Sequence, residues 1–330
     1  MSDKLEILKM VESSKITVEE GLQMIEALEL TEKIEEEIKE SINSQQIDDT
    51  IVREADDIEK ELNEMSEKAF KTFDVSLTTC KLNVERSNVE EVTIELMDDK
   101  TRTFITKPEW LHLNESNNTI SIKESRVTNL TDIFDFFKSG NTMLNSVFIN
   151  VKIPMETIID KGRFSNVSGS LSLIGLKGVD IEAKSVSGKV YGTDLKAKVI
   201  QLKSTSGSVI ADSVKAGKCY LKTISGKIKC IGDLYYLECK SVSGAIDIAC
   251  NAQLNKVHAS SISGRISINV TEPESYNLYL ESISGNIETN GFAVINKSNS
   301  GKRSVSIDNR SDIKNISVST ISGKISIDKL

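Results

Sequence analysis

One six-residue phrase constrains this chain more than any other feature. "TISGKI" stands at Thr223–Ile228 and returns unchanged at Thr320–Ile325. Close variants occur as "SVSGKV" at 185, "SVSGAI" at 241, "SISGRI" at 261 and "SISGNI" at 282. The glycines of the SG pairs are Gly169, Gly188, Gly207, Gly226, Gly244, Gly264, Gly285 and Gly323. Their steps are 19, 19, 19, 18, 20, 21 and 38, the last being twice 19. A fixed period of this size predicts a stack of similar coils, each resting on its neighbours.

Columns counted from each glycine show which side faces the stack. Position +2 holds Leu171, Val190, Val209, Ile228, Ile246, Ile266, Ile287 and Ile325. Position −7 holds residues such as Ile181, Ile200, Cys219 and Leu237, and position −5 holds Ala183, Leu202, Leu221 and Cys239. Aliphatic residues two apart are strand alternation. The expected fold class is therefore mainly β, a parallel β-helix or β-solenoid with coils of about 19 residues, and an α-helical segment at the N-terminus.

The inward columns are odd before the glycine and even after it, so the strand must change phase near the SG pair. Glycine suits such a corner, since it lacks a Cβ and reaches φ > 0. A phase change before −3 would turn positions −2, 0, +2 and +4 inward. It would leave the Ser/Thr columns at −3 and −1 facing solvent, with inward hydroxyls bonded to the corner backbone as the alternative. Cys219, Cys230 and Cys239 fall in inward columns and read as small buried hydrophobes. With Cys80 and Cys250 they make five cysteines without a CxxC pair, which speaks against a disulfide framework and a thiolate zinc site.

Four segments follow. Residues 1–30 read as a short helical hairpin, with Thr17 and Glu20 as a capping box. Residues 31–70 read as an acidic amphipathic helix whose seam runs Ile47, Ile51, Ala55, Ile58, Leu62, Met65 and Ala69. That seam suits either a second copy or the chain's own sheet. Residues 71–160 alternate less regularly and read as degenerate first coils or a β-rich cap, with "NLTDIFDFFKS" as a short helix or edge cover. Residues 161–330 are the regular repeat. Pro273 marks an outward bulge, and the double step before Gly323 an irregular or expanded coil. That last stretch carries Lys297, Lys302, Arg303, Arg310 and Lys314, a basic group that is either a solvated loop or an anion contact.

Charge narrows the partners. Residues 1–70 hold 21 acids and 8 bases, so of the net −8 they carry −13 and the remainder +5. An acidic half beside a weakly basic one without a contiguous Lys/Arg stripe excludes nucleic acid as the expected partner. No apolar run is long enough to span a bilayer and no secretory leader opens the sequence, so the expected location is cytoplasmic, with peripheral membrane contact open. Acids of the repeat (Asp194, Asp212, Asp233, Asp247) occupy different columns, and His112 and His258 lie far apart. No paired carboxylates, metal set or cofactor motif emerges, so neither an enzyme nor a cofactor is expected.

The SxSG repeats resemble the bacterial putative-adhesin family, a domain of unknown function built from T/S-h-S-G strands, over residues 72–330 and most closely from Gly169 onward. "LEILKMVESSKITVEEGLQMIEALE" resembles the short helical hairpin found in front of that domain in Gram-positive bacteria, with Gly21 where alanine is common. The resemblance implies a β-helical fold and an association with the cell envelope or its stress response, and it brings no catalytic residues. Two functions are carried forward: a structural scaffold of the adhesin type, or a module binding an anionic envelope component such as a lipid headgroup or polymer. A solenoid has two open ends, and the N-terminal helices are the only elements read as able to cover them. A homo-oligomer held partly by residues 31–70 is therefore expected.

Overall fold

In each regular coil a long strand runs into the SG corner and a short strand runs out of it. Around Gly188 these are β9 (Lys177–Ser185) and β10 (Val190–Thr193). The computed structural model describes residues 70–116, 118–125, 147–250, 254–271, 275–290, 296–298, 303–307 and 314–329, all within the unit Arg53–Leu330. The helices expected in residues 1–69 and 129–139, and the bulge at Pro273, lie outside the described residues.

Parallel pairing repeats the column alignment residue by residue. The preceding coil is β7 (Ile158–Asn166) and β8 (Leu171–Ile174), and the following long strand is β11 (Lys196–Ser204). In β12 (Val209–Thr223) and β13 (Ile228–Ser241) a short strand continues directly into the next long one. Then come β14 (Ile246–Cys250), β15 (Lys256–Ser261), β16 (Ile266–Val270), β17 (Asn277–Ser282) and β18 (Ile287–Asn290). Val190 pairs with Leu171 and Val209, and Val209 with Ile228. On the long side Ile200 pairs with Ile181 and Cys219. The +2, −5 and −7 aliphatics of the four coils from Gly188 to Gly244 are at most 1% exposed. Burying one Val, Leu or Ile completely stabilises by roughly 1.5–3 kcal/mol. No coil could bury this face alone, which is why the phrase must recur.

Stacking order departs from chain order at both ends. The first strands, β1 (Phe70–Leu77) and β2 (Lys81–Ser87), do not lie outermost. β1 sits between β5 (Thr119–Glu124) and β7, and β2 between β6 (Val147–Pro154) and β8. The last strands, β21 (Asn315–Thr320) and β22 (Ile325–Lys329), are likewise interior. β21 lies between β15 and β17, and β22 between β16 and β18. The Gly323 coil therefore stacks between the Gly264 and Gly285 coils. The double step is not one expanded coil. It holds β19 (Asn296–Ser298) and β20 (Arg303–Ile307), which pair antiparallel, with β20 also antiparallel to β17.

Antiparallel strands close the other end too. β3 (Thr93–Asp98) pairs with β6, and β4 (Leu111–Ser116) with β5. The ends thus have strand covers of their own, and the expectation that only the N-terminal helices could cover them is corrected. Residues 71–160 supply both true coils and a cap. Trp110 packs partly buried against the core.

Candidate functional site: corners and a lysine and aromatic face

The corner settles where the hydroxyls point. All eight SG glycines are buried. At the seven corners after the first, the glycine N–H donates to the −3 hydroxyl, from 2.8 Å at Ser282 to 3.1 Å at Thr223. Asn166 takes that place for Gly169, at 3.0 Å. The same hydroxyl reaches back to the coil before: Ser204 Oγ donates to the Gly188 carbonyl at 3.0 Å and Thr223 Oγ1 to that of Gly207 at 3.1 Å. Expecting Ser185, Ser204 and Thr223 to face solvent is therefore incorrect, because each γ-oxygen satisfies a buried backbone group. The −1 serines Ser187, Ser206 and Ser225 are exposed as expected.

The phase changes after −3, so −2 also turns outward, and Val167, Val186 and Ile283 are 46%, 41% and 53% exposed. The glycine requirement comes from crowding. A Cβ on Gly226 would overlap the Gly207 carbonyl, and one on Gly188 that of Gly169. Within the regular coils positive φ occurs instead at the second corner, six residues on, at Gly175 (66°), Asp194 (51°) and Ser213 (55°), and otherwise among the described residues only at Arg102 and Asn118 in the cap.

Alternation then fixes the outer surface of the long strands. Position −4 carries Lys184, Lys203, Lys222 and Lys240 on four consecutive coils. At −6 stand Glu182, Gln201, Tyr220, Glu238 and His258, and at −8 Asp180, Val199, Lys218, Tyr236 and Lys256. Register places Lys203, Lys222 and Lys240 side by side, and Tyr236 between Lys218 and Lys256. Tyr220 and Tyr236 have ring centroids 5.8 Å apart, and Tyr236 and His258 5.6 Å apart, both pairs tilted.

Charges on this face are divided. Toward the Gly188 coil they are paired: Arg163 holds Asp180 at 2.6 Å and Glu182 at 3.1 Å, and Glu182 also meets Lys184 at 2.7 Å. Lys240 pairs with Glu238 at 2.9 Å, and the Tyr236 hydroxyl donates to Glu238 Oε2 at 3.2 Å. Lys218, Lys222 and Lys256 form no ion pair among the described residues. Burial, and then the Glu238 charge, push the Tyr236 phenol far above its ordinary value. Burial lowers His258, against the opposing pull of Glu238. At neutral pH both rings are uncharged, and the surplus charge belongs to the lysines.

The basic group noted in the sequence is dispersed where it can be followed. Arg303 donates to the Gly285 carbonyl at 3.0 Å, doing for the outer coil what a hydroxyl does elsewhere. Lys314 lies over the Tyr276 ring at 5.4 Å. Arg303 pairs with Ser282, at one end of β17, and the Lys314 carbonyl accepts from Asn277, at the other. They are separated by about 16 Å along the strand. Lys297 belongs to β19, its side chain outside the described residues, as are Lys302 and Arg310. The lysine face was missed because its members in neighbouring coils lie 18 to 20 residues apart; reading the −4 and −8 columns would have found it.

Among the described residues no helix is long and apolar enough to cross a membrane. Residues 2–31 match a SHOCT-like domain. No curated protein matches the chain. Similar solved structures include two adhesin-like proteins. A putative adhesin from Bacteroides fragilis has 15% identity and a TM-score of 0.42, with 81% of this chain and 94% of that one covered. A putative cell adhesion protein from Clostridium sporogenes has 12% identity and a TM-score of 0.25, with 79% and 93% covered. The match to the family described as Toastrack DUF4097 spans residues 70–328, and the chain belongs to that family.

Proposed function

We propose that this protein is a non-enzymatic scaffold of the adhesin type that holds an anionic component of the cell envelope on its lysine and aromatic face. The observation that carries this reading is the set Lys218, Lys222 and Lys256, without ion pairs among the described residues and gathered around Tyr220, Tyr236 and His258. Four consecutive coils, from Gly207 to Gly264, present five lysines against one carboxylate in these columns, with Lys203 also reaching Glu182 of the coil before at 3.4 Å. A rigid sheet pre-orders such a surface, so little conformational entropy is lost on binding.

Binding of anionic polymers and of anionic or neutral vesicles, across a salt series, tests the proposal. The expected result is capture of at least one anionic partner that weakens as salt rises, because exposed charges are screened beyond about 8 Å at physiological ionic strength. Equal behaviour toward neutral and anionic partners would overturn it. A link to envelope stress belongs to the same proposal, and cell fractionation with and without envelope stress tests it: the protein should shift to the envelope fraction.

A further inference from the structure

We infer that the ligand of this face is a linear acidic glycan, a chain of carboxylate-bearing sugar rings laid along the solenoid axis with one ring to each coil. This rests on the binding reading above and names its ligand.

Spacing is the first argument. In-register pairing sets Lys203, Lys222 and Lys240 in one row and Lys218, Tyr236 and Lys256 in another. Neighbours in each row are about 4.8 Å apart, close to the advance per ring of an extended hexose chain. Cations recur at that interval in the first row and at twice it in the second, where Tyr236 separates Lys218 from Lys256, and a separate headgroup gives no reason for such a series.

Width is the second. Lys218 and Lys222 flank Tyr220 on β12, about 13 Å apart along the strand. A sugar ring has apolar faces and a polar rim. Seated on the aromatic strip, it would send its carboxylate sideways toward one lysine row. Where successive rings turn over, the next carboxylate would go to the other row. Lysines on both sides of the strip suit that alternation.

The mixture of groups is the third. Glu238 lies inside the strip, held by Lys240 at 2.9 Å and by the Tyr236 hydroxyl at 3.2 Å. A carboxylate there would oppose a bare polyphosphate, whereas it can accept hydrogen bonds from sugar hydroxyls. Tyrosine and histidine rings supply stacking surface that a simple anion would not use.

The test is titration calorimetry on the full chain. The probes are oligogalacturonates of increasing length, length-matched neutral cello-oligosaccharides, polyphosphate and phosphatidylglycerol vesicles. Oligogalacturonate affinity should rise with length and level at about four rings, one for each coil from Gly207 to Gly264, with no binding of the neutral series. Joint replacement Lys218→Gln, Lys222→Gln and Lys256→Gln should weaken it by at least about tenfold. Tyr220→Ala should weaken it while leaving the salt dependence unchanged. Thermal melts confirm that these surface variants are folded. Vesicle or polyphosphate binding without oligogalacturonate binding, or affinity independent of length, overturns the glycan assignment and leaves the anion reading standing. Failure of every anion at low salt overturns both.

Discussion

A single hydroxyl at −3 serves two coils, so its loss is felt twice. Ser204→Ala would leave the Gly207 N–H and one acceptor bond of Gly188 unmet inside the stack. The expected cost is about 1–3 kcal/mol, read from chemical denaturation, whereas Ser204→Thr should be nearly neutral because Thr223 fills the same place one coil on. Gly226→Ala should also destabilise, by about 1–3 kcal/mol, since its new methyl meets the Gly207 carbonyl. Stability unchanged in that variant would mean that the coils can part at the corner. The inward columns were legible because aliphatic residues, with cysteine at Cys219 and Cys239, recur in them from coil to coil. The position of the phase change was not. Val186, Ile224 and Ile283 at −2 look like core, yet they sit on an outer ridge where β-branched residues suit the extended backbone. Their burial depends on the corner geometry, which periodicity does not specify.

Among the elements, β5 shows how an outer coil is finished. The Glu124 carboxylate, at its end, accepts from the backbone N–H of Thr78, Thr79 and Cys80 at 2.8, 3.0 and 3.2 Å, and from the Thr79 hydroxyl at 2.8 Å. Burial alone would raise its pKa, but the donors together outweigh burial and lower it below the ordinary 4.5. The folded state therefore gains stability from this group above the unfolded carboxyl's value. That gain fades as the pH falls through the lowered folded value. Glu124→Gln should destabilise the chain at pH 7 and flatten the acid side of its stability profile. A profile with unchanged slope would show that the carboxylate carries no linkage. Strand alternation pointed to β3 as a strand but not to its direction, and β4 and β20 were not read as strands at all. Apolar and polar residues alternate alike in parallel and antiparallel ladders, so the end covers could not be read in advance.

At the scale of the whole molecule, the interleaved ends set this chain apart from a stack that can be peeled repeat by repeat. Deleting residues 314–330 would remove β21 and β22, an interior layer, and should lower the midpoint of denaturation far more than loss of an outermost coil. Hydrogen exchange gives a second measure: β21 amides should open only with global unfolding, while β19 and β20 open earlier. The interleaving also has a meaning in time. During synthesis the Gly285 coil emerges before the Gly323 coil and finds the exposed edge of the Gly264 coil, written in nearly the same six residues. Ile287 can then occupy the neighbour's place that belongs to Ile325 beside Ile266. The self-similarity that builds the stack thus offers a plausible wrong seat, which must be vacated before the rightful layer slides in. Refolding of the full chain should show a slow phase absent from a chain ending at Asn290, where the early seat is the final one.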